Sequence, residues 1–504
     1  MLTNHYDIVI IGSGMGGLVC GDVLSREGYS VCILEKNKQI GGCLQTYVRE
    51  KVIFDSGVHY LGGLGKGQNL YQVFQYLGIM DKLKLERMEE DVFDKIITEH
   101  DEKEYVFAQG YENFIGKLLV DFPNEEKALR LYCDKIKEVC NRFPLYNLRS
   151  GGGFADKAEV MEIDTRAFIE SITDDTKLQS VLVGNNMLYA GQPGKTPFYV
   201  HAMILNSYIE SSWKCINGGS QIGKWMAKNI HDRGGIIKRN CEVKKIEVEN
   251  GKVSHVTIDG DRKIYGKYFI SNIHPVKTLE MTDTDIIKNV YRNRLKSLEN
   301  SISNFTVNII FEHNAFKYFQ HNYYYFKEGQ VWSMADYTDD NWPLGYVIFA
   351  GGGKTSKYAE SMTILAYMKY DEVKQWDTTF NTVSETEDRG PEYEAFKKDK
   401  AEKLIDCVEE KFPGIRDCIK SYYTATPLSY RDYIGNGDGS MYGIVKDYRD
   451  PIKTLISPRT KLPNLYFTGQ NLNLHGVLGA AMSGLVTCID LMGNESIIEK
   501  IKNA

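Results

Sequence analysis

A histidine and a tyrosine stand side by side, His59-Tyr60, in the segment GGCLQTYVREKVIFDSGVHYLGG, Gly41 to Gly63. Each can give up or take a proton, so the pair suits the proton-transfer half of a redox or acid–base reaction. The pair follows the turn Asp55-x-Gly57, where the glycine places no side chain between backbone and a flat ligand. Gly41-Gly42 adds more bare backbone, which a chain needs where it must touch something closely. Cys43 has no partner cysteine nearby and reads as a packing residue rather than a redox thiol.

What is to be touched is indicated upstream, in YDIVIIGSGMGGLVCGDVLSREGYSVCILEK. A short apolar strand, Tyr6 to Ile11, enters Gly12-Ser13-Gly14-Met15-Gly16-Gly17, a helix runs to about Glu27, and a second strand ends at Glu35. Gly12 permits the tight turn, Gly14 lets backbone approach a pyrophosphate, and Gly17 allows helix to pack on strand. The helix N-terminus supplies the positive end for phosphates. Glu35 can accept hydrogen bonds from a ribose diol. A dinucleotide site follows.

FAD is expected there rather than NAD. A flavin dinucleotide lies extended, so a second backbone cradle is needed beyond Glu35, and Gly41-Gly42 is placed to provide it. The stretch NLYFTGQNLNLHGVLGAAMSGLVTCIDLM offers a third surface, where a strand leads into Gly469-Gln470 and then to a helix start at Gly476, Val477 and Gly479. A helix N-terminus aimed at a flavin's pyrimidine edge stabilises negative charge on the reduced ring. No second glycine-rich strand–turn–helix unit is visible for a nicotinamide. AGGGKTS near Gly353 lacks the first glycine of a phosphate loop, Ile348 standing in its place, and is set aside.

The elements that position these residues are expected to be interleaved. The chain has 504 residues, more than one ordinary core, with 42% hydrophobic and 25% charged residues. An FAD-binding domain is assembled from 1–63, 215–275 and 455–504, and a substrate domain from 64–214 and 276–454. In the middle block Ile222, Trp225, Met226 and Ile230 recur at helical spacing, and CEVKKIEVENGKVSHVTIDG alternates around Asn250-Gly251 as a hairpin. The first insert is largely helical in pattern; the second mixes helix and strand. The aromatic run Phe316 to Phe326 fits a strand in a sheet better than a tunnel lining.

The net charge of −6 gives no basic excess for a phosphate backbone, so nucleic acid is not an expected partner. Ten cysteines form no C-x-x-C pair, and no His, Cys or Glu spacing suggests a metal. A strand-like segment directly after Met1 leaves no room for a leader, so a cytoplasmic setting is expected, with peripheral contact on the inner face of a membrane compatible with it.

Together these segments resemble the FAD-dependent phytoene desaturase, carotenoid isomerase and retinol saturase group. The likeness rests on the N-terminal fingerprint, GGCLQTY, FDSGVHYLGG, NGGSQIGKWM…RGG, TPLSYRDY…GSMYGI and NLYFTGQNLNLHGVLGAAMSG, and Gly-Gly-Cys followed by Gly-x-His-Tyr is nearest the retinol saturase branch. It implies an α/β fold, a Rossmann-type FAD-binding domain of the glutathione reductase-like or amine oxidase-like kind interleaved with an α+β substrate domain. It also implies an oxidoreductase that saturates, desaturates or isomerises carbon–carbon double bonds of an apolar polyene, with a quinone, oxygen or NAD(P)H as electron partner. His59 and Tyr60 would then sit beside the flavin as proton donors. The implied cofactor contacts are Gly12, Ser13, Gly14, Met15, Gly16, Gly17, Glu35, Lys36, Gly41, Gly42, Cys43, Gly57, Val58, His59, Val243, Gly469, Gln470, Gly476, Val477 and Gly479. Asn471 stands where the group commonly has an acid. Tyr430 and Arg431 face either the cleft or a surface turn, and His475 either the flavin or the cap of the following helix. The alternative is an amine or small-molecule oxidase on the same fold, or a non-catalytic flavin- or polyene-binding protein.

Overall fold

An almost unbroken apolar strand cannot sit at a sheet's solvent face, and His5–Ile11 lies in the middle of one, buried from Val9 to Ile11. The computed structural model describes residues 4–151, 153, 155–353 and 356–504. Lys354 and Thr355 of AGGGKTS lie outside these. On one side of His5–Ile11 run Val31–Leu34 and Ile236–Lys238, and on the other Arg262–Ser271, all parallel. Leu465–Phe467 adds to Arg262–Ser271, also parallel. The hairpin of Val243–Glu249 and Lys252–Ile258 completes this sheet on an antiparallel edge. Its turn residues Asn250 and Gly251 have φ of 49° and 80°, the positive pair that such a turn requires.

Helices Met15–Arg26, Ser220–Asp232 and Gly476–Met492 bury one face of this sheet. Ile222, Met226 and Ile230 point inward at the predicted spacing, and Trp225 is half-buried beside them. The first two helices are also tied electrostatically. Asp22 is fully buried, pairs with Arg233 at 2.6 Å and accepts from the Asn229 amide at 3.0 Å. Burial pushes this carboxyl up while Arg233 draws it down.

A second sheet runs Ile419–Ala425, Ser303–Phe311, Ser361–Met368, Gly345–Gly351, Asn322–Phe326, Asp94–Thr98, Tyr105–Phe107. Its neighbours are antiparallel except Asn322–Phe326 with Asp94–Thr98, which run parallel with Asn322 opposite Asp94. The first insert is therefore less purely helical than its pattern suggests. Asp94–Thr98 and Tyr105–Phe107 are five and three residues long, too short to display a period of two. The aromatic run ends as the strand Asn322–Phe326, and its earlier rings pack on neighbours: Phe316 stacks on Phe311 and Phe319 on Phe412. No helix among the described residues is long and apolar enough to cross a membrane.

Helices from the first insert cover the second sheet and share one core with it. Within that core His201 is fully buried, its Nε2 2.6 Å from the Tyr132 hydroxyl and its Nδ1 2.8 Å from that of Tyr189. Burial pushes the imidazole down to about 3. An unfolded imidazole takes its proton near pH ~6.5, so below that the unfolded chain binds a proton that the native one refuses. Stability is lost as pH falls from that point towards the native value, by up to about 1.4 kcal/mol per pH unit from this group. His201→Gln removes the titration while keeping hydrogen-bonding groups in place. Urea unfolding at stepped pH should give the variant a shallower acid slope than the parent by about that amount.

Candidate active site

At the carboxyl ends of the parallel strands lies a cavity of about 1270 Å³. An ordinary small-molecule pocket holds about 300–1,000 Å³, so this one is larger than a single small ligand requires. One end is the glycine loop. Gly14, which caps the helix Met15–Arg26, offers no side-chain acceptor, leaving the first-turn N–H groups available. Gly41 has φ of 110°, donates its N–H to the Ser13 carbonyl at 3.1 Å and pairs with Gly14 as a short parallel bridge. A Cβ on Gly42 would stand 3.1 Å from the Gly14 Cα. The two glycine segments thus form one cradle.

Glu35 does more here than its place in the fingerprint suggests. Its Oε2 accepts from the Ser13 N–H at 3.0 Å and the Ser13 hydroxyl at 2.6 Å, while Oε1 accepts from the Asn37 N–H at 2.8 Å. The carboxylate therefore shapes the loop, and it still lines the cavity with lone pairs to spare. Lys36 also lines the cavity, but its Nζ donates to the Asp432 carbonyl at 2.7 Å, and burial pushes its ammonium down.

The structure brings Ser13, Met15, Gly16, Cys43, Gly57, Val58, His59, Val243, Gly469, Gln470, Gly476 and Val477 to the same lining. Gly17 and Gly479 lie behind it. A Cβ on Gly17 would run into the Gly12 carbonyl, and one on Gly479 into Leu474, so both serve packing. Cys43 sits under Gly57, whose added Cβ would meet it at 3.3 Å, and burial pushes its thiol up to about 11. Tyr430 and Arg431 are on the helix Pro427–Ile434, not a surface turn, and both line the cavity. Arg431 spends its charge on Asp432 at 2.6 Å.

Two residues that no motif marks hold the cradle together. Asn272 follows the strand Arg262–Ser271, and its side-chain amide fills the place where a Cβ on Gly14, Gly16 or Gly469 would fall, 2.6–2.8 Å away. Its only sequence signal is position, at the carboxyl end of the strand beside His5–Ile11. Lys446 is buried and donates to the carbonyls of Thr454 at 2.9 Å, Asn471 at 3.0 Å and Leu472 at 2.9 Å. Burial pushes it down to about 7. It fixes the turn after Gln470, where the Asn471 Oδ1 accepts from the Ile444 N–H at 3.0 Å. His475 does not cap its helix with its side chain; the ring stacks on Tyr442 at 4.3 Å and its Nε2 lies 3.1 Å from the Leu188 carbonyl.

At the inner end the lining turns apolar, with Met187, Leu188, Tyr208, Tyr324, Val347 and Phe349. His59 stacks face to face on Phe349 at 4.2 Å, and burial together with the charge of Lys214 pushes it down to about 4. At neutral pH this imidazole is uncharged. Tyr60 beside it donates its hydroxyl to Asp94 at 2.9 Å and shares a 2.8 Å hydrogen bond with the Tyr324 hydroxyl. Burial raises the Tyr60 hydroxyl well above its ordinary range, so it stays protonated. The site can therefore hold a long nucleotide at one end and offer a neutral proton donor at the other. Among the described residues no group of three His, Cys, Asp or Glu side chains is gathered as for a metal.

Comparison with known proteins agrees with this layout. Residues 10–77 match a model of the NAD(P)-binding Rossmann-like domain. The all-trans-retinol 13,14-reductase of Danio rerio is 24% identical over 97% of this chain and 86% of its own. The chloroplastic prolycopene isomerase of Daucus carota is 24% identical over 96% of this chain and 79% of its own. Among solved structures, an oxidoreductase from Methanosarcina mazei superposes with a TM-score of 0.64 at 16% identity, covering 97% of this chain and 100% of that one. Over nearly its whole length, then, the chain is similar to all-trans-retinol 13,14-reductases and prolycopene isomerases, as its glycine and Gly-x-His-Tyr motifs implied.

Proposed function

We propose that this chain is an FAD-dependent oxidoreductase that saturates, desaturates or isomerises a carbon–carbon double bond of an apolar polyene. The observation that carries the reading is the single cavity that joins a two-segment glycine cradle to an uncharged inner end. FAD fits the cradle because the added Cβ atoms that would fill it are absent at Gly14, Gly16, Gly42 and Gly469. Gly12, Ser13, Gly14, Met15 and Gly16 would hold the pyrophosphate, Glu35 the ribose, and Val243 would lie along the adenine. Gly41, Gly42, Cys43, Gly57, Val58, Gly469, Gln470, Gly476 and Val477 would follow the flavin half, and Lys36 would support the loop from behind. When bound, the flavin supplies hydride transfer.

The chain's own residues do the rest. The inner lining is largely apolar and aromatic and carries no carboxylate, so an amine substrate would find no anchor there, whereas a polyene buries apolar surface at about 25 cal/mol per Å². Tyr60 gives or takes the proton, and His59, neutral and stacked on Phe349, orients the wall of the cavity beside it. Segments 1–63, 215–275 and 455–504 serve the nucleotide, and 64–214 with 276–454 serve the substrate. The electron partner is a quinone, oxygen or NAD(P)H. The named substrates of the relatives, all-trans-retinol and prolycopene, define the chemical class to test.

Heating the purified protein should release FAD, identified by its absorbance and chromatographic retention. Gly41→Val forces a β-branched side chain into a left-handed conformation that costs about 1–2 kcal/mol even for ordinary residues, and should strip most of the flavin. Release of NAD in its place would overturn the reading. Tyr60→Phe should slow oxidation of the reduced flavoprotein by all-trans-retinol roughly 10²- to 10⁴-fold in stopped-flow absorbance, with flavin content intact. His59→Gln should slow it less.

A further inference from the structure

Behind Tyr60, and outside the cavity lining, a carboxylate is buried without a cation in contact. Asp94 is fully inaccessible. Its Oδ1 accepts from the Asn322 amide at 2.9 Å, and its Oδ2 from the Asn185 amide at 3.3 Å and the Tyr60 hydroxyl at 2.9 Å. The second sheet builds this arrangement. Its one parallel pairing sets Asn322 opposite Asp94, and Tyr324, two residues on, lies on the same face. Tyr324 then reaches the Tyr60 hydroxyl at 2.8 Å, and both tyrosines line the cavity.

We propose that Asp94 is the proton reservoir of the site, passing a proton through the hydroxyls of Tyr60 and Tyr324 to the substrate carbon opposite the one that receives hydride. The inference rests on the function proposed above and deepens it. Reduction of one double bond breaks its π pair and forms two C–H bonds. One carbon receives hydride, with its two electrons, from the reduced flavin; the other receives the proton of a tyrosine hydroxyl. That oxygen recovers a proton from the Asp94 carboxyl, directly for Tyr60 and by way of the Tyr60 hydroxyl for Tyr324, and the carboxylate is reprotonated from water between turnovers. The two electrons would come from the reduced flavin that the glycine cradle would hold, and in the desaturating direction the chain carries the proton the other way.

The neighbours of Asp94 fit a carboxyl that cycles. Burial pushes it up to about 7, against the hydrogen bonds of Asn322, Tyr60 and Asn185 and the charge of Lys214. Lys214 is itself buried, donates to the Ala350 carbonyl at 3.2 Å and is pushed down to about 8, with Glu86 and Asp94 holding it up. Tyr208 packs against the Tyr60 ring at 4.4 Å, tilted by 32°, and feels the Asp94 charge, as does Tyr324. Two neutral amides fix the carboxyl's orientation without fixing its charge, which a salt bridge would do.

Asp94→Asn keeps the shape and most of the hydrogen bonds, and Tyr324→Phe cuts the chain at its other end without touching the carboxyl. Infrared difference spectra between about pH 6 and about pH 8 should show a carboxylic-acid carbonyl band in the parent that the Asp94→Asn protein lacks. Asp55, also buried and pushed up to about 7, contributes a band to both proteins and drops out of their comparison. The flavin is then reduced by light with a sacrificial amine donor, and its oxidation by all-trans-retinol is followed across pH. The parent rate should fall as pH rises through the Asp94 titration; Asp94→Asn should lose roughly 10²-fold in rate and the pH dependence with it, and Tyr324→Phe should lose rate while keeping the infrared band. Wild-type rate and pH profile in both variants, or no Asp94 band, would overturn the relay and leave the proposed function standing. Failure of retinol and of prolycopene to oxidise the parent's flavin would instead overturn the saturating reaction, and the relay as written for it.

Discussion

Backbone touching backbone at the ends of the parallel strands is the constraint on which everything else in this molecule rests. The Gly12–Gly17 loop, the Gly41-Gly42 turn and the Gly469 turn come from distant parts of the chain, yet they close on one another, Gly42 against Gly14 and Gly469 against Gly16 beside the Asn272 side chain. Any Cβ in that space would hold the segments apart, and the cradle would not form. The sheet brings these ends together, and the strands that precede them, His5–Ile11, Val31–Leu34 and Leu465–Phe467, are buried at the ends that enter the cradle. Asp22 and Arg233 tie down the helices behind the loop, and Lys446 ties down the turn in front of it. A lysine bonded to three carbonyls is an unusual way to fix a turn, but it works at short range because each N–H meets its own acceptor.

The parts of the fold legible in sequence are those where backbone geometry restricts the residue type. Gly12, Gly41 and the Asn250-Gly251 turn announce themselves because left-handed backbone admits few residues. The helix at 220–232 was readable for a different reason: Ile222, Met226 and Ile230 repeat over three turns. Asp94–Thr98 was not, because five residues with a charge at each of the first two positions carry no period, and its place is decided by Asn322–Phe326, more than two hundred residues away. Asn272 and Lys446 escaped for the same reason. Their chemistry is ordinary; only the company they keep in three dimensions makes them parts of the site.

The two ends of the cavity solve opposite electrostatic problems. Around the glycine cradle, N–H groups and a helix terminus create positive potential, while Lys36 and Arg431, which also line the cavity, are turned to the Asp432 carbonyl and to the Asp432 carboxylate. At the inner end the proposed apolar substrate would need walls free of charge, because an unpaired ion beside it would be costly and would draw in water. The structure meets this by lining the wall with tyrosines and a histidine held neutral, and by keeping the ionisable groups one side chain further back, where Asp94 and Lys214 sit. A tyrosine hydroxyl is the group that can stand between these regimes: its ring is part of an apolar wall, and its oxygen can accept a proton from behind as it gives one up in front. On the proposed function, that is how chemistry in an apolar cavity would be compatible with a proton supply, and the Tyr60–Tyr324 pair, rather than the more obvious imidazole of His59, is the one hydrogen-bonded to the buried carboxyl.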